Sequence, residues 1–206
     1  MNKTVAWVLS VLFHPLLLPT FLFSVILYYL PGSFITFPAE SRWIILVFVF
    51  LATFLLPVIG VYYLFRLGHV RSLSLADRAE RSLPLFFTGV CYALVSYLFY
   101  RDDMFDRLFF FVLGLITVQV FLTYIFSLFW KISAHSVGAG GTIGMLVILN
   151  SLLAENYLLP LIVAFIVIAG AVMSARLALN AHTSEEVYGG FVLGFAFTVG
   201  VWLVSG

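Results

Sequence analysis

Two short stretches hold residue types that could perform chemistry in a chain otherwise built from apolar runs. The first is ARLALNAHTSEE, residues 175–186. His182 and Glu186 are four residues apart, so on a helix beginning near His182 they share a face. A carboxylate there holds one imidazole nitrogen and leaves the other unprotonated and aimed, as a histidine nucleophile or base requires. Arg176 supplies a planar, permanently charged fork suited to phosphate oxygens. Thr183 and Glu186 also have capping-box spacing, which would make Glu186 the closure of a helix start. On sequence alone both readings of Glu186 stand.

The second stretch, WKISAHSVGAGG (130–141), sets His135 between Ser133 and Ser136, where it could serve as a proton donor. Gly138, Gly140 and Gly141 follow. They would allow close approach of an anion to the free amides of a helix N-terminus, and tight helix packing accounts for them equally well. A third group, ADRAERSLP (76–84), carries Arg78 and Arg81 three residues apart, with Asp77 and Glu80 beside them. Taken alone such a run is a solvated loop with local ion pairs. Converging, the three groups describe a phosphate site: arginines neutralise the oxygens, one histidine attacks phosphorus and the other protonates the leaving oxygen. His14, directly before Pro15, reads as a satisfied histidine at a proline kink and is left outside this group.

These residues must be positioned by helices in a bilayer. The chain has 206 residues, 64% of them hydrophobic and 9% charged, with a mean hydropathy of +1.17. That leaves too little polar surface to coat a soluble globule. Seven apolar segments stand out, at about 4–30, 43–65, 84–100, 108–130, 139–154, 157–174 and 187–205, against a requirement of roughly 20 residues per span. Two of them are short. The expectation is an all-α, polytopic transmembrane bundle of six to seven spans, forming one domain over 1–206, with the first segment retained as a span and not cleaved. In the seven-span arrangement, connections 66–84, 130–141 and 175–186 open on one face. A raw count of Lys and Arg makes that face cytoplasmic, and the bias disappears once the site arginines are set aside. Cys91 has no partner for a disulfide or a cysteine metal site. A net charge of +1 without a basic tract argues against nucleic acid as a partner.

The same residues resemble the signatures of the type 2 phosphatidic acid phosphatase superfamily over about residue 71 to the C-terminus. ISAH at 132–135 is similar to P-S-G-H, with Ser133 and His135 matching. ARLALNAHTSEE has the spacing of S-R-x5-H-x3-D, with Arg176 and His182 matching and Glu186 at the acidic position. VYGGFVLGF resembles the glycine-containing helix that commonly follows. For the signature K-x6-R-P, Arg71 and Arg78 have the spacing with Ala79 in place of proline; alternatively Arg78 and Arg81 share the duty, with Pro84 as the displaced proline.

The resemblance implies an integral membrane phosphatase that hydrolyses a lipid phosphate or diphosphate without metal or other cofactor, through a phosphohistidine. By position His182 is then the nucleophile, Glu186 its orienting partner and His135 the general acid. Arg176, Arg78 and Arg81 bind the phosphate, and Ser133 adds a donor. The expected location is the cell (inner) membrane, and the resemblance places the active face away from the cytosol. A non-catalytic relative that only binds a lipid phosphate is the alternative. A histidine-relay transporter would place its ionisable residues inside the spans, whereas here they cluster at the connections.

Overall fold

The computed structural model describes residues 1–206 except 33, 73–76 and 206. Among the described residues there is no strand. The helices are α1 (Lys3–Leu12), α2 (Leu18–Tyr29), α3 (Arg42–Phe50), α4 (Leu56–Arg66), α5 (Ser82–Arg101), α6 (Arg107–Phe129), α7 (Ala134–Ser151), α8 (Leu159–Ala178) and α9 (Ser184–Ser205). Short 3₁₀ or π turns extend several of them. Six resulting segments are long and apolar enough to cross a membrane: Lys3–Tyr29, Ala39–Arg66, Ala79–Arg101, Arg107–Phe129, Leu159–Ala178 and Ser184–Val204. The protein is thus an all-α, polytopic integral membrane bundle.

Two spans are interrupted, each at a proline. In the first, α1 ends at Leu12 and His14 turns extended, as a residue before proline prefers. Pro15 opens a 3₁₀ turn, and His14 Nδ1 accepts the Leu16 amide at 3.3 Å to cap it. A proline kink with a satisfied histidine is what the sequence led us to expect. In the second, a π-helical turn over Leu51–Leu55 joins α3 to α4 ahead of Pro57. Pro57 has no N–H for the carbonyl of Thr53, four residues earlier. The buried phenol of Tyr92 on α5 donates to that carbonyl instead, at 2.8 Å.

The chain packs as two compact units, residues 19–129 and residues 1–18 with 130–206. In the first of these, α5 lies along α6. Phe23, Phe99, Phe105 and Phe109 form an aromatic cluster, with Phe99 and Phe105 ring centres 4.8 Å apart. Asp106 accepts the Thr36 amide and hydroxyl, which ties the two connections at that end.

The other unit is built around α7, whose residues 136, 137, 139–146, 148 and 149 are all buried. α7 starts at Ala134, five residues before the expected limit of 139, so Gly138, Gly140 and Gly141 lie inside the helix and not ahead of it. Packing is the reason. A Cβ on Gly140 would collide with the Phe191 carbonyl of α9, and one on Gly194 with the Val137 carbonyl of α7. Each helix thus offers small residues four apart, Gly140 with Gly144 and Gly190 with Gly194, and the backbones meet there. Ala139, Ile143 and Ala169 complete the core with Phe165, Phe191 and Phe195.

α7 is not among the six apolar spans, yet it runs beside α8 as an antiparallel neighbour. At one end Asn150 joins the two, accepting the Leu158 amide at 3.1 Å and donating to Asn156 at 2.9 Å. At the other, the Lys131 carbonyl ahead of α7 meets His182 in the turn after α8, as described below. Eighteen residues rise about 27 Å, close to a hydrocarbon core of roughly 30 Å.

Candidate functional site

A turn of five residues, 179–183, carries His182 between two helix caps. α8 ends with Asn180 in the left-handed region, φ 52°. The Asn180 amide donates to Leu177 at 2.9 Å and the Ala181 amide to Arg176 at 3.1 Å, so the last carbonyls of α8 are satisfied by a Schellman motif. Asn tolerates that backbone where most side chains do not. α9 then begins with a complete capping box: the Glu186 amide donates to Thr183 Oγ1 at 3.3 Å, and the Thr183 amide to Glu186 Oε2 at 3.1 Å.

The same Glu186 Oε2 stands 2.9 Å from His182 Nδ1, and the Lys131 carbonyl stands 3.1 Å from that nitrogen. Both neighbours are acceptors, so Nδ1 carries the hydrogen and the neutral ring keeps its lone pair on Nε2. The two sequence readings of Glu186 are therefore not alternatives, since one oxygen serves the cap and the histidine together. His182 precedes α9 and does not lie on it. The contact comes from the cap geometry rather than from two residues on one helix face. The His182 side chain is only 2% exposed and that of Glu186 12%.

Residues 130–136 are stitched to this turn. The Ser133 amide donates to the Glu186 carbonyl at 3.1 Å. Ser133 Oγ caps α7, accepting the Ser136 amide at 3.3 Å and the Ser136 hydroxyl at 3.0 Å. Gly189 and Gly190 permit this approach: a Cβ on the former would strike the Trp130 ring, and one on the latter would stand 2.9 Å from the Ser133 carbonyl. Ser133, fully buried, thus positions α7.

His135, in the first turn of α7, has its Nε2 3.0 Å from the Ser10 carbonyl of α1. A carbonyl only accepts, so Nε2 bears the hydrogen and Nδ1 the lone pair of the neutral ring. His14 lies against it edge to face, with ring centres 5.4 Å apart and planes at 82°. The Arg176 guanidinium, in the last turn of α8, acts electrostatically on both rings, and His182 on His135. His135 also lines a small cleft whose other walls, among them Phe13, Leu18, Phe165 and Val172, are apolar.

Five of the seven residues singled out in the sequence, Ser133, His135, Arg176, His182 and Glu186, thus belong to one unit and interact there. Arg78 and Arg81 belong to the other unit, where they flank and close a 3₁₀ turn, Ala79–Arg81, leading into α5. Arg78 Nη1 donates to the Phe129 carbonyl at 2.5 Å, placing a cation at the C-terminus of α6. Glu80 accepts the Arg71 amide at 3.2 Å. Between Arg71 and Arg78, residues 73–76 lie outside those described. Among the described residues no three His, Cys, Asp or Glu side chains form a group that could hold a metal ion.

The sequence reading set His14 outside this group; its nearness to His135 depends on how α1 packs and leaves no mark in local spacing. The fold and site define a polytopic membrane protein with a histidine, carboxylate and arginine cluster at its helix ends. No family model, curated protein or solved structure matches the chain.

Proposed function

We propose that the protein is an integral membrane phosphatase acting on a lipid phosphate or diphosphate through a phosphohistidine at His182. The observation that carries this reading is the shared hold of Lys131 and Glu186 on His182 Nδ1. It leaves Nε2 as the ring's nucleophilic atom. In the first step Nε2 forms a bond to phosphorus while the bond from phosphorus to the lipid oxygen breaks, and His135 gives that oxygen a proton. Glu186 stabilises the positive charge that His182 gains. In the second step water attacks phosphorus and gives its proton to His135, the N–P bond breaks and inorganic phosphate leaves, restoring the neutral His182 ring and the acid form of His135.

Arg176 supplies the charge for the phosphate oxygens. The positive end of the α7 dipole at Ser133–His135 favours an anion nearby. A lipid is the substrate class because the cluster sits at the ends of membrane helices and His135 borders an apolar cleft. We assign the protein to the cell membrane on the same reading. The test is phosphate release by detergent-purified protein, with EDTA present, from phosphatidate, phosphatidylglycerophosphate and polyprenyl phosphates and diphosphates. Release from at least one, unaffected by chelator, is expected. Release that requires an added divalent ion would contradict the metal-free mechanism.

A second reading, a non-catalytic lipid-phosphate binder, draws on the bonds Arg78 and His135 make to backbone carbonyls, which give each a structural use. It predicts lipid-phosphate binding without turnover.

A further inference from the structure

The first helix belongs to none of the motifs above, yet its broken end reaches His135 with two groups, the Ser10 carbonyl and the His14 ring. The His14 ring is held in turn. Its Nδ1 is occupied by the Leu16 amide, and the extended backbone before Pro15 fixes where the ring begins. His135 is therefore gripped at Nε2 by one residue of α1 and faced by a second imidazole from the same break.

From this geometry we infer that His14 is a positioning residue for His135, and that the catalytic proton of His135 travels on Nδ1. The inference rests on the proposed phosphatase reading for the word catalytic, while the pairing itself rests on the contacts alone. With Nε2–H donated to Ser10, the proton that His135 gains and gives away each turnover resides on Nδ1. The arrangement mirrors His182, where a backbone carbonyl and Glu186 take Nδ1 and leave Nε2 to the phosphorus. Two imidazoles with centres 5.4 Å apart oppose each other's positive charge. The other charged or titratable groups facing His135 are Arg176 from α8, whose charge adds to that opposition, and His182 from the turn before α9. From α1 itself the neutral Ser10 carbonyl is the contact.

The variant that tests this is His14→Asn. Asn is a strong cap, so its side-chain oxygen replaces Nδ1 on the Leu16 amide and the 3₁₀ turn keeps its closure. What disappears is the second imidazole. Two readouts are taken on the full-length protein in detergent: ¹⁵N spectra of the histidine rings against pH, and the pH profile of kcat/KM. In the wild type the neutral His135 ring should show hydrogen on Nε2. In His14→Asn its half-protonation point should rise, because the opposing imidazole is gone. The alkaline limb of kcat/KM should move upward with it, since a general acid acts while protonated. A hydrogen on Nδ1 in the neutral ring, or an unmoved half-protonation point, overturns the pairing whether or not phosphate is released. A moved ring titration with an unmoved alkaline limb overturns the role in the acid step. A moved ring titration in His14→Asn, together with a wild type that releases no phosphate, overturns the phosphatase reading and leaves the pairing standing.

Discussion

Glu186 Oε2 lies 2.9 Å from His182 Nδ1 while it accepts the Thr183 amide at 3.1 Å, so one carboxylate oxygen closes a helix and orients an imidazole. The two duties separate by substitution. Glutamine also serves in a capping box, but its neutral amide oxygen stabilises an imidazolium far less than a carboxylate does. Glu186→Gln should leave thermal unfolding within about 0.5 kcal/mol of wild type and lower kcat by roughly 10- to 100-fold, the loss that follows when the carboxylate partner of a metal-bound histidine is removed. Thr183→Ala should do the reverse, costing about 1 kcal/mol of stability with a smaller effect on kcat. Thermal melts and initial rates on both variants decide it. Equal losses of rate in the two would mean that the cap alone matters.

The close contact of α7 and α9 predicts a pattern among glycines. Gly140 and Gly194 face carbonyl oxygens of the opposite helix, which cannot move aside as a flexible side chain would. Alanine at either should cost roughly 1–3 kcal/mol through overpacking. Gly170, in the middle of α8, has nothing within 4 Å of the place a Cβ would take, so Gly170→Ala should be neutral or stabilise by about 0.5–1 kcal/mol through helix propensity. Unfolding midpoints in one detergent give the comparison, and a loss at Gly170 equal to that at Gly140 would contradict it.

Asn180 sets the turn that carries His182. With φ 52°, Asn180→Gly should be tolerated, whereas Asn180→Val forces a β-branched side chain into the left-handed region at a cost of about 1–3 kcal/mol. Because His182 follows two residues later, the valine variant should also lose phosphate release beyond what its reduced folded fraction explains. Rates normalised to folded protein, measured beside the melts, test both statements.

Much of this architecture was legible in the sequence because the bilayer imposes a coarse rule. Apolar length marks the spans, and charge marks the connections. The link between His182 and Glu186 was legible too, since it is local. What sequence spacing could not resolve depended on contacts between distant segments. Whether the glycines of 138–141 serve an anion or a helix turned on Phe191, some fifty residues away in sequence. His14 looked like an ordinary residue at a kink, and so it is locally; only the packing of α1 brings it to His135, 121 positions along the chain. Arg78 was legible as a cation of a charged connection, but its bond to the Phe129 carbonyl spans 51 residues and could not be read from ADRAERSLP.

The measurement that bears most directly on the mechanism is a search for phosphate on His182 during turnover. Protein mixed with its best lipid phosphate in EDTA is quenched in alkali, where a phosphohistidine survives, then digested and analysed by mass spectrometry. Nucleophilic attack by His182 predicts phosphate on the peptide containing that residue, its loss on acid treatment, and neither adduct nor phosphate release in His182→Ala. Phosphate release that continues in His182→Ala, or an adduct on another residue, would contradict it.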